Sequence, residues 1–368
     1  MKKVLFGTTA LVAAGLIAGQ ASAAEPIKLS VSGYMQQWVG FSEQGDQYDT
    51  AGPGGVDKVS VGTLQDSELA FKGSTTLDNG IKVSVKYELE GQGGTNGIDE
   101  SVLTLTSPTL GTVMIGSEDN AQYIIHHTAP DVGIGHADGD VGDWVDDGGT
   151  AITDHTGIEG GGDASKIQYL TPVFGGVGLG AGYTPDTSAG DASEGGYATT
   201  SMEEQYFAAI YYDGDIAEGM TLHLDAGIAF TNVAGNNGVG ANSDEIRDIS
   251  IGASLATGGF TFGGGYINRN QNTAGTTSVD GYTAALGASY ETGPYGISLS
   301  GLFGENEGAT ATAADDEFYS IMLSGSYALG PGIDFKASAL YASYDDETTV
   351  AANDNDGYAF VTGFALSF

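Results

Sequence analysis

Carboxylate oxygens are the chemistry that this sequence offers most freely. The stretch Asp138-Gly139-Asp140-Val141-Gly142-Asp143 sets hard oxygen donors between glycines, a ligand type suited to Ca²⁺. It lacks the spacing and closing Glu of an EF-hand loop, so Ca²⁺ at Asp138, Asp140 and Asp143 rests on donor chemistry alone. No other cofactor is called for. The stretch belongs to a 45-residue segment, 119–163, with ten acids, no Lys or Arg, and four of the five histidines. Of these, His126, His127 and His136 could ligate a transition metal, but they read first as solvated loop residues. His223 and Asp225 are two apart, the spacing of one strand face, but no Ser in a strained elbow and no base–nucleophile pair accompanies them. With no cysteine in the chain, thiol nucleophiles, zinc–thiolate sites and disulfides are all excluded. The residues do not describe an enzyme.

The elements that hold these residues have a period of two. Ile81, Val83, Val85, Tyr87 and Leu89 alternate with Lys82, Ser84, Lys86, Glu88 and Glu90. Met220, Leu222, Leu224, Ala226, Ile228 and Phe230 alternate with Thr221, His223, Asp225, Gly227 and Ala229. Such runs are 10–14 residues long, against about 5–6 for strands of soluble proteins and about 9–11 for a tilted membrane strand. Sixteen strands are predicted: 27–41, 66–78, 80–90, 98–107, 111–118, 164–172, 175–185, 203–213, 218–231, 244–257, 258–268, 278–291, 295–305, 316–329, 332–345 and 356–368. Short turns such as Asp78-Asn79-Gly80 and Gly330-Pro331-Gly332 alternate with long polar segments, of which 119–163 is the third. Short turns at one end and long loops at the other are the layout of an all-β transmembrane antiparallel barrel. Tyr290, Tyr295, Tyr327, Phe335, Tyr358 and Phe368 lie near strand ends, where interfacial girdles of aromatics are expected.

Compartment and charge agree with a barrel. Lys2 and Lys3, an apolar run from Val4 to Gly19, and Ala21-Ser22-Ala23 are the three regions of a Sec signal peptide, 1–23. This leaves one domain, 24–368. No later stretch approaches the roughly 18–20 apolar residues of a spanning helix. The net charge is −37, or −39 once Lys2 and Lys3 are removed. Such a chain repels nucleic acid and attracts cations.

By alternation Lys72, Lys82 and Lys86 share a face with Glu68, Glu88 and Glu90, opposite the apolar stripe; in a barrel that face is the lumen. Arg247 and Lys166 are further lumen candidates. If segment 119–163 folds inward, Asp119, Asp131, Asp138, Asp140, Asp143, Asp146 and Asp147 put negative potential at the narrowest point, and the lysines facing them set a field across it. If it stays outside, it is a solvated acidic loop.

Several segments resemble the Gram-negative general porins, particularly the α-proteobacterial branch, over essentially the whole mature chain. They are Lys28-Leu29-Ser30-Val31-Ser32-Gly33-Tyr34, Asp66-Ser67-Glu68-Leu69-Ala70-Phe71-Lys72-Gly73, Leu77-Asp78-Asn79-Gly80, Tyr169-Leu170-Thr171-Pro172 and the terminal alternation closing on Phe368. The resemblance implies a 16-stranded barrel, usually a homotrimer, with the third loop folded into the lumen. Phe368 resembles the aromatic signal read by the barrel assembly machinery. Such porins often carry an arginine cluster opposite the acidic loop; this chain has only Arg247 and Arg269, so that feature does not carry over. The implied function is an outer-membrane, water-filled channel for small hydrophilic solutes and ions, cation-preferring, surrounded by lipid and lipopolysaccharide. A solute-specific channel of the same fold is the alternative. A secreted Ca²⁺-binding β-solenoid or adhesin would need Gly-Asp repeats at fixed period, and Gly160-Gly161-Gly162-Asp163 does not recur.

Overall fold

The computed structural model describes residues 26–45, 61–91, 97–136, 140–147, 155–159, 161–187, 203–233, 244–272, 280–307, 315–345 and 354–368. These form sixteen antiparallel strands in a closed barrel, each paired with its neighbours in sequence, and β1 closes against β16. The strands are β1 (Lys28–Gln44), β2 (Val61–Thr76), β3 (Lys82–Glu90), β4 (Ser101–Ser107), β5 (Gly111–Ser117), β6 (Ser165–Leu170), β7 (Val177–Thr184), β8 (Glu203–Ala217), β9 (Met220–Val233), β10 (Asp244–Thr257), β11 (Phe260–Asn272), β12 (Gly281–Thr292), β13 (Tyr295–Asn306), β14 (Asp316–Gly330), β15 (Ile333–Asp345) and β16 (Asn355–Ser367). All sixteen fall on the predicted segments, shifted by a few residues at their ends. One short helix, α1 (Ala121–Ile125), follows β5; the two-residue period gave no sign of it.

Closure leaves no strand edge unpaired, so alternation alone decides which side chains face out. Along β14, Tyr319, Ile321 and Leu323 are about half exposed, whereas Phe318, Ser320, Met322 and Ser324 are buried. The exposed set is the apolar outer face, and its aromatics pair across strands, as in Tyr295–Tyr327 (5.1 Å between centroids) and Phe335–Phe364 (5.6 Å). The turn after β2 needs φ = +81° at Gly80, whose N–H donates to the Leu77 carbonyl (2.8 Å), and glycine takes that backbone shape without a Cβ clash.

The wall is uneven in height. Strands β8 to β16 have 12–15 residues, but β4, β5 and β6 have 7, 7 and 6. The low wall stands next to β1 to β3, and loop 119–163 leaves the barrel rim between β5 and β6.

Candidate functional site

The described residues of loop 119–163 lie inside the barrel. Asn120 caps α1 by accepting from the Gln122 and Tyr123 amides (2.9 and 3.1 Å). The loop then runs along the inner wall, pinned strand by strand. On β9, the buried Asp225 carboxylate accepts from the His127 amide (2.9 Å) and pairs with His126 Nδ1 (2.8 Å). Gln122 Nε2 donates to Ser250 on β10 (3.1 Å), and Gln122 Oε1 accepts from the Ile158 amide on the loop's return (2.6 Å). On β13, Asp131 accepts from the Gly133 and Gly135 amides (both 2.9 Å) and from the Ser298 hydroxyl (2.9 Å). His136 is buried between the hydroxyls of Ser300 on β13 (2.6 Å) and Ser320 on β14 (2.7 Å).

The wall provides seats for the loop. A Cβ added at Gly227, Gly252 or Gly265 would overlap Gln122, the His127 carbonyl or the Thr156 hydroxyl, respectively. Farther on, Trp144 lies over Gly40 of β1 and joins Trp38, Val141, Val145, Phe318, Leu340 and Tyr344 in an apolar cluster inside the barrel. Gln44 accepts from the Asp146 amide (2.9 Å) and Asn355 donates to the Asp146 carbonyl (2.7 Å), closing the circuit at β1 and β16. The loop is therefore held by apolar packing and by hydrogen bonds, among them those to the Asp131 and Asp225 carboxylates.

Burial and donors tune the loop's titratable groups. Burial, aided by neighbouring Glu118, raises the Asp119 carboxyl to about 6. Burial lowers His136 to about 4, so it is neutral at pH 7. Asp131 is also buried, but its amide and hydroxyl donors outweigh burial and hold it below the ordinary carboxylate value. The Asp225 contact raises His127.

Across from the loop, the wall of β1 to β3 is acidic. Tyr34 donates to Glu68 (2.8 Å) and Asp66 (3.2 Å). Glu68 stands directly opposite Glu90, and the oxygens of Glu68, Glu90 and Asp99 converge, as do those of Glu100, Glu118 and Asp119. Lys86 is ringed by Glu88 (3.1 Å), Glu118 (3.0 Å) and Glu100. Between wall and loop is a cavity of about 400 Å³, lined by Gln36, Asp66, Thr128, Ala129, Asp131, Gly133, Ile134, Gly135, His136, Asp140 and Lys336.

The sequence-derived residues separate on this frame. Lys72, Lys82, Lys86, Glu68 and Glu88 face the lumen; Lys72 and Lys82 lie toward the turn end, where Lys82 pairs with Thr76. Arg247 does not face the lumen: it shares the outward face of β10 with Ile249 and Ile251 and is exposed. Lys166 faces inward and donates to the Glu118 and Gly162 carbonyls. Of the loop acids, Asp131 and Asp140 reach the cavity, Asp119 joins the Glu100–Glu118 group, Asp146 is half-buried at β1, and Asp143 and Asp147 are exposed. Asp138 lies outside the described residues, and with it part of the Ca²⁺ set Asp138, Asp140 and Asp143. His126 and His136 are buried wall contacts and not solvated groups, because inward folding brings each against polar partners, whereas the His127 side chain is partly exposed beside Asp225. His223 stacks on His127 (centroids 4.4 Å apart) and Asp225 anchors the loop. Asp66, Lys336 and the Arg269–Asp248 pair (2.9 Å) were not singled out from sequence, although strand parity places all four inward.

Comparison with known proteins agrees with this architecture. A family model described as Gram-negative porin matches residues 7–365. Similar solved structures include an anion-selective porin from Comamonas acidovorans (TM-score 0.63, 18% identity, 93% of this chain and all of that one). Another is the trimer form of OmpT from Vibrio cholerae (TM-score 0.63, 13% identity, 94% of this chain and all of that one). A mutant of the Rh. blastica porin also matches (TM-score 0.52, 15% identity, 93% of this chain and all of that one). No curated relative matches in sequence. The closed barrel, its inward loop and the family match over nearly the whole length make this chain a member of the Gram-negative porin family, an outer-membrane channel.

Proposed function

We propose that this channel passes small hydrophilic solutes by diffusion and prefers cations. The observation that carries the reading is the acidic wall of Asp66, Glu68, Glu88, Glu90 and Asp99 facing the loop across the lumen. Fixed carboxylates concentrate cations and repel anions. Part of the opposing charge is spent locally, Lys86 on three glutamates and Arg269 on Asp248. The Comamonas relative is named anion-selective; at 18% identity the likeness is one of fold and carries no selectivity over to this chain. Reconstitution in a planar bilayer under a KCl gradient tests the proposal. Stepwise conductance with a cation-signed reversal potential is expected, and an anion-signed potential would overturn the preference. Saturable block by one solute class would favour the solute-specific alternative.

Self-association, most simply as a homotrimer, belongs to the same reading. A 7-residue strand tilted about 40° rises only about 18 Å, short of the roughly 25 Å apolar band of a membrane barrel. The low wall of β4 to β6 therefore needs protein beside it. Gln37, Gln65 and Ser67 on the adjoining outer face are polar, and the buried Gln37 Nε2 has no hydrogen-bond partner among the described residues. Cross-linking in detergent reads the assembly. Export with removal of residues 1–23, insertion through Phe368 by the barrel assembly machinery, and contact with lipopolysaccharide complete the proposal; the mass of the mature chain checks the first of these.

A further inference from the structure

Asp225 fixes the loop backbone against β9 by accepting from the His127 amide (2.9 Å). His223 lies two residues before Asp225 on the same strand face, so the His127 side chain meets it. The two imidazoles stack with centroids 4.4 Å apart and planes 14° apart. In each ring Nδ1 faces an acceptor that has no proton to give. His127 Nδ1 donates to the Ile125 carbonyl (3.0 Å). His223 Nδ1 lies 3.3 Å from the carboxylate of Asp213, directly across on β8, near enough to feel its charge but off the line of a hydrogen bond. An acceptor at Nδ1 favours the tautomer whose lone pair is on Nε2, the arrangement that stands behind metal-ligating imidazoles. Neither Nε2 makes a hydrogen bond among the described residues, and the two side chains are 37% and 23% exposed. His126 and His136 differ, because Asp225 and Thr156 occupy both ring nitrogens of the first, and Ser300 and Ser320 those of the second.

We propose that His127 and His223 form a site for a late first-row divalent metal ion of the Zn²⁺ and Cu²⁺ class, which bridges the inward loop to β9. Neutral imidazole nitrogen suits these ions, whereas carboxylate clusters suit Mg²⁺ and Ca²⁺. An ion about 2.0–2.1 Å from each nitrogen draws the two Nε2 atoms to about 3 Å from one another. The stacked rings must splay from parallel to close on it, and the more exposed His127 ring is the one with room to turn. Water completes the coordination, and the Asp213 carboxylate beside His223 offers a further oxygen. Because one ligand is on the loop and the other on the wall, the bound ion stabilises the docked loop by mass action. The site does not depend on which solutes the channel passes.

The test titrates the full-length protein with Zn²⁺ alone by calorimetry in excess Mg²⁺, which fills oxygen sites and competes poorly for imidazole. His127→Gln and His223→Gln should each weaken Zn²⁺ binding about tenfold or more, and His155→Gln, which removes a loop histidine outside the site, should leave it unchanged. No Zn²⁺ binding under excess Mg²⁺, equal binding by the unmodified protein and the two variants, or a loss confined to His155→Gln would overturn the assignment. Cu²⁺ bound to the unmodified protein gives a reading that needs no variant. Its electron paramagnetic resonance spectrum should show splitting from two imidazole nitrogens, and splitting from one or none would overturn the pair. Zn²⁺ should also slow limited proteolysis of the loop in the unmodified protein but not in His223→Gln; equal protection of both would place the ion elsewhere.

Discussion

Replacing Gly40 by valine tests whether Trp144 bolts the second arm of the loop to the wall. Gly40 faces the lumen, and any Cβ there overlaps the indole of Trp144, which is only 6% exposed. A tryptophan buries roughly 200 Å², so at about 25 cal/mol per Å² its burial contributes about 5 kcal/mol. If the displaced ring regains half of its exposure, docking weakens by about 2.5 kcal/mol, a shift of roughly 70-fold toward an undocked arm. The chain has two tryptophans, so Trp38→Phe leaves Trp144 as the sole reporter. In that background, Gly40→Val should red-shift the emission and increase quenching by acrylamide, with noisier single-channel currents. Gly62 provides the control: its added Cβ would lie 3.8 Å from the same ring, an ordinary contact, so Gly62→Ala should leave the emission unchanged. An intact barrel in which Gly40→Val neither shifts nor exposes Trp144 would refute the reasoning.

Other tests follow from the anchors and the wall. Asp131→Ala leaves three loop amides and a wall hydroxyl without their acceptor, at a cost of about 2–3 kcal/mol, and limited proteolysis should cut within 131–136. His136 has a pKa lowered to about 4 by burial, so its neutral docked form stabilises the loop fully above about pH 6.5. That stability is lost as pH falls from about 6.5 toward 4, because the undocked loop binds the proton first; His136→Gln should flatten proteolysis rates across that window. Asp119, raised to about 6, loses its charge as pH falls through that value, so cation preference should decline between pH 7 and 5, and less so in Asp119→Asn. Glu68→Gln combined with Asp66→Asn should lower the K⁺/Cl⁻ ratio several-fold in the bilayer, and an unchanged ratio would place the selective charges elsewhere.

The barrel was legible in the sequence because alternation is a local property. Each strand carries its own inside and outside, and the lengths of turns and loops repeat the order of the hairpins. Even the misplaced Arg247 had its signal, since Ile249 and Ile251 share its parity and both face outward. Phe335 and Lys336 likewise declare opposite faces to anyone reading β15 alone.

The sequence by itself determined a sixteen-stranded closed wall, the face on which each strand residue lies, and an acidic loop too long to be a simple connection. Only the tertiary structure decided where that loop goes and which charges meet. Asp131 finds Ser298, Trp144 finds Gly40, and Lys336 finds the Gly133 carbonyl across 203 residues of sequence. Those contacts depend on the circumference and register of a closed barrel, and a two-residue period carries neither. The acids expected to line the passage from the loop side are partly spent on holding the loop in place. The opposite wall carries a second group of carboxylates, Asp66, Glu68, Glu88, Glu90 and Asp99.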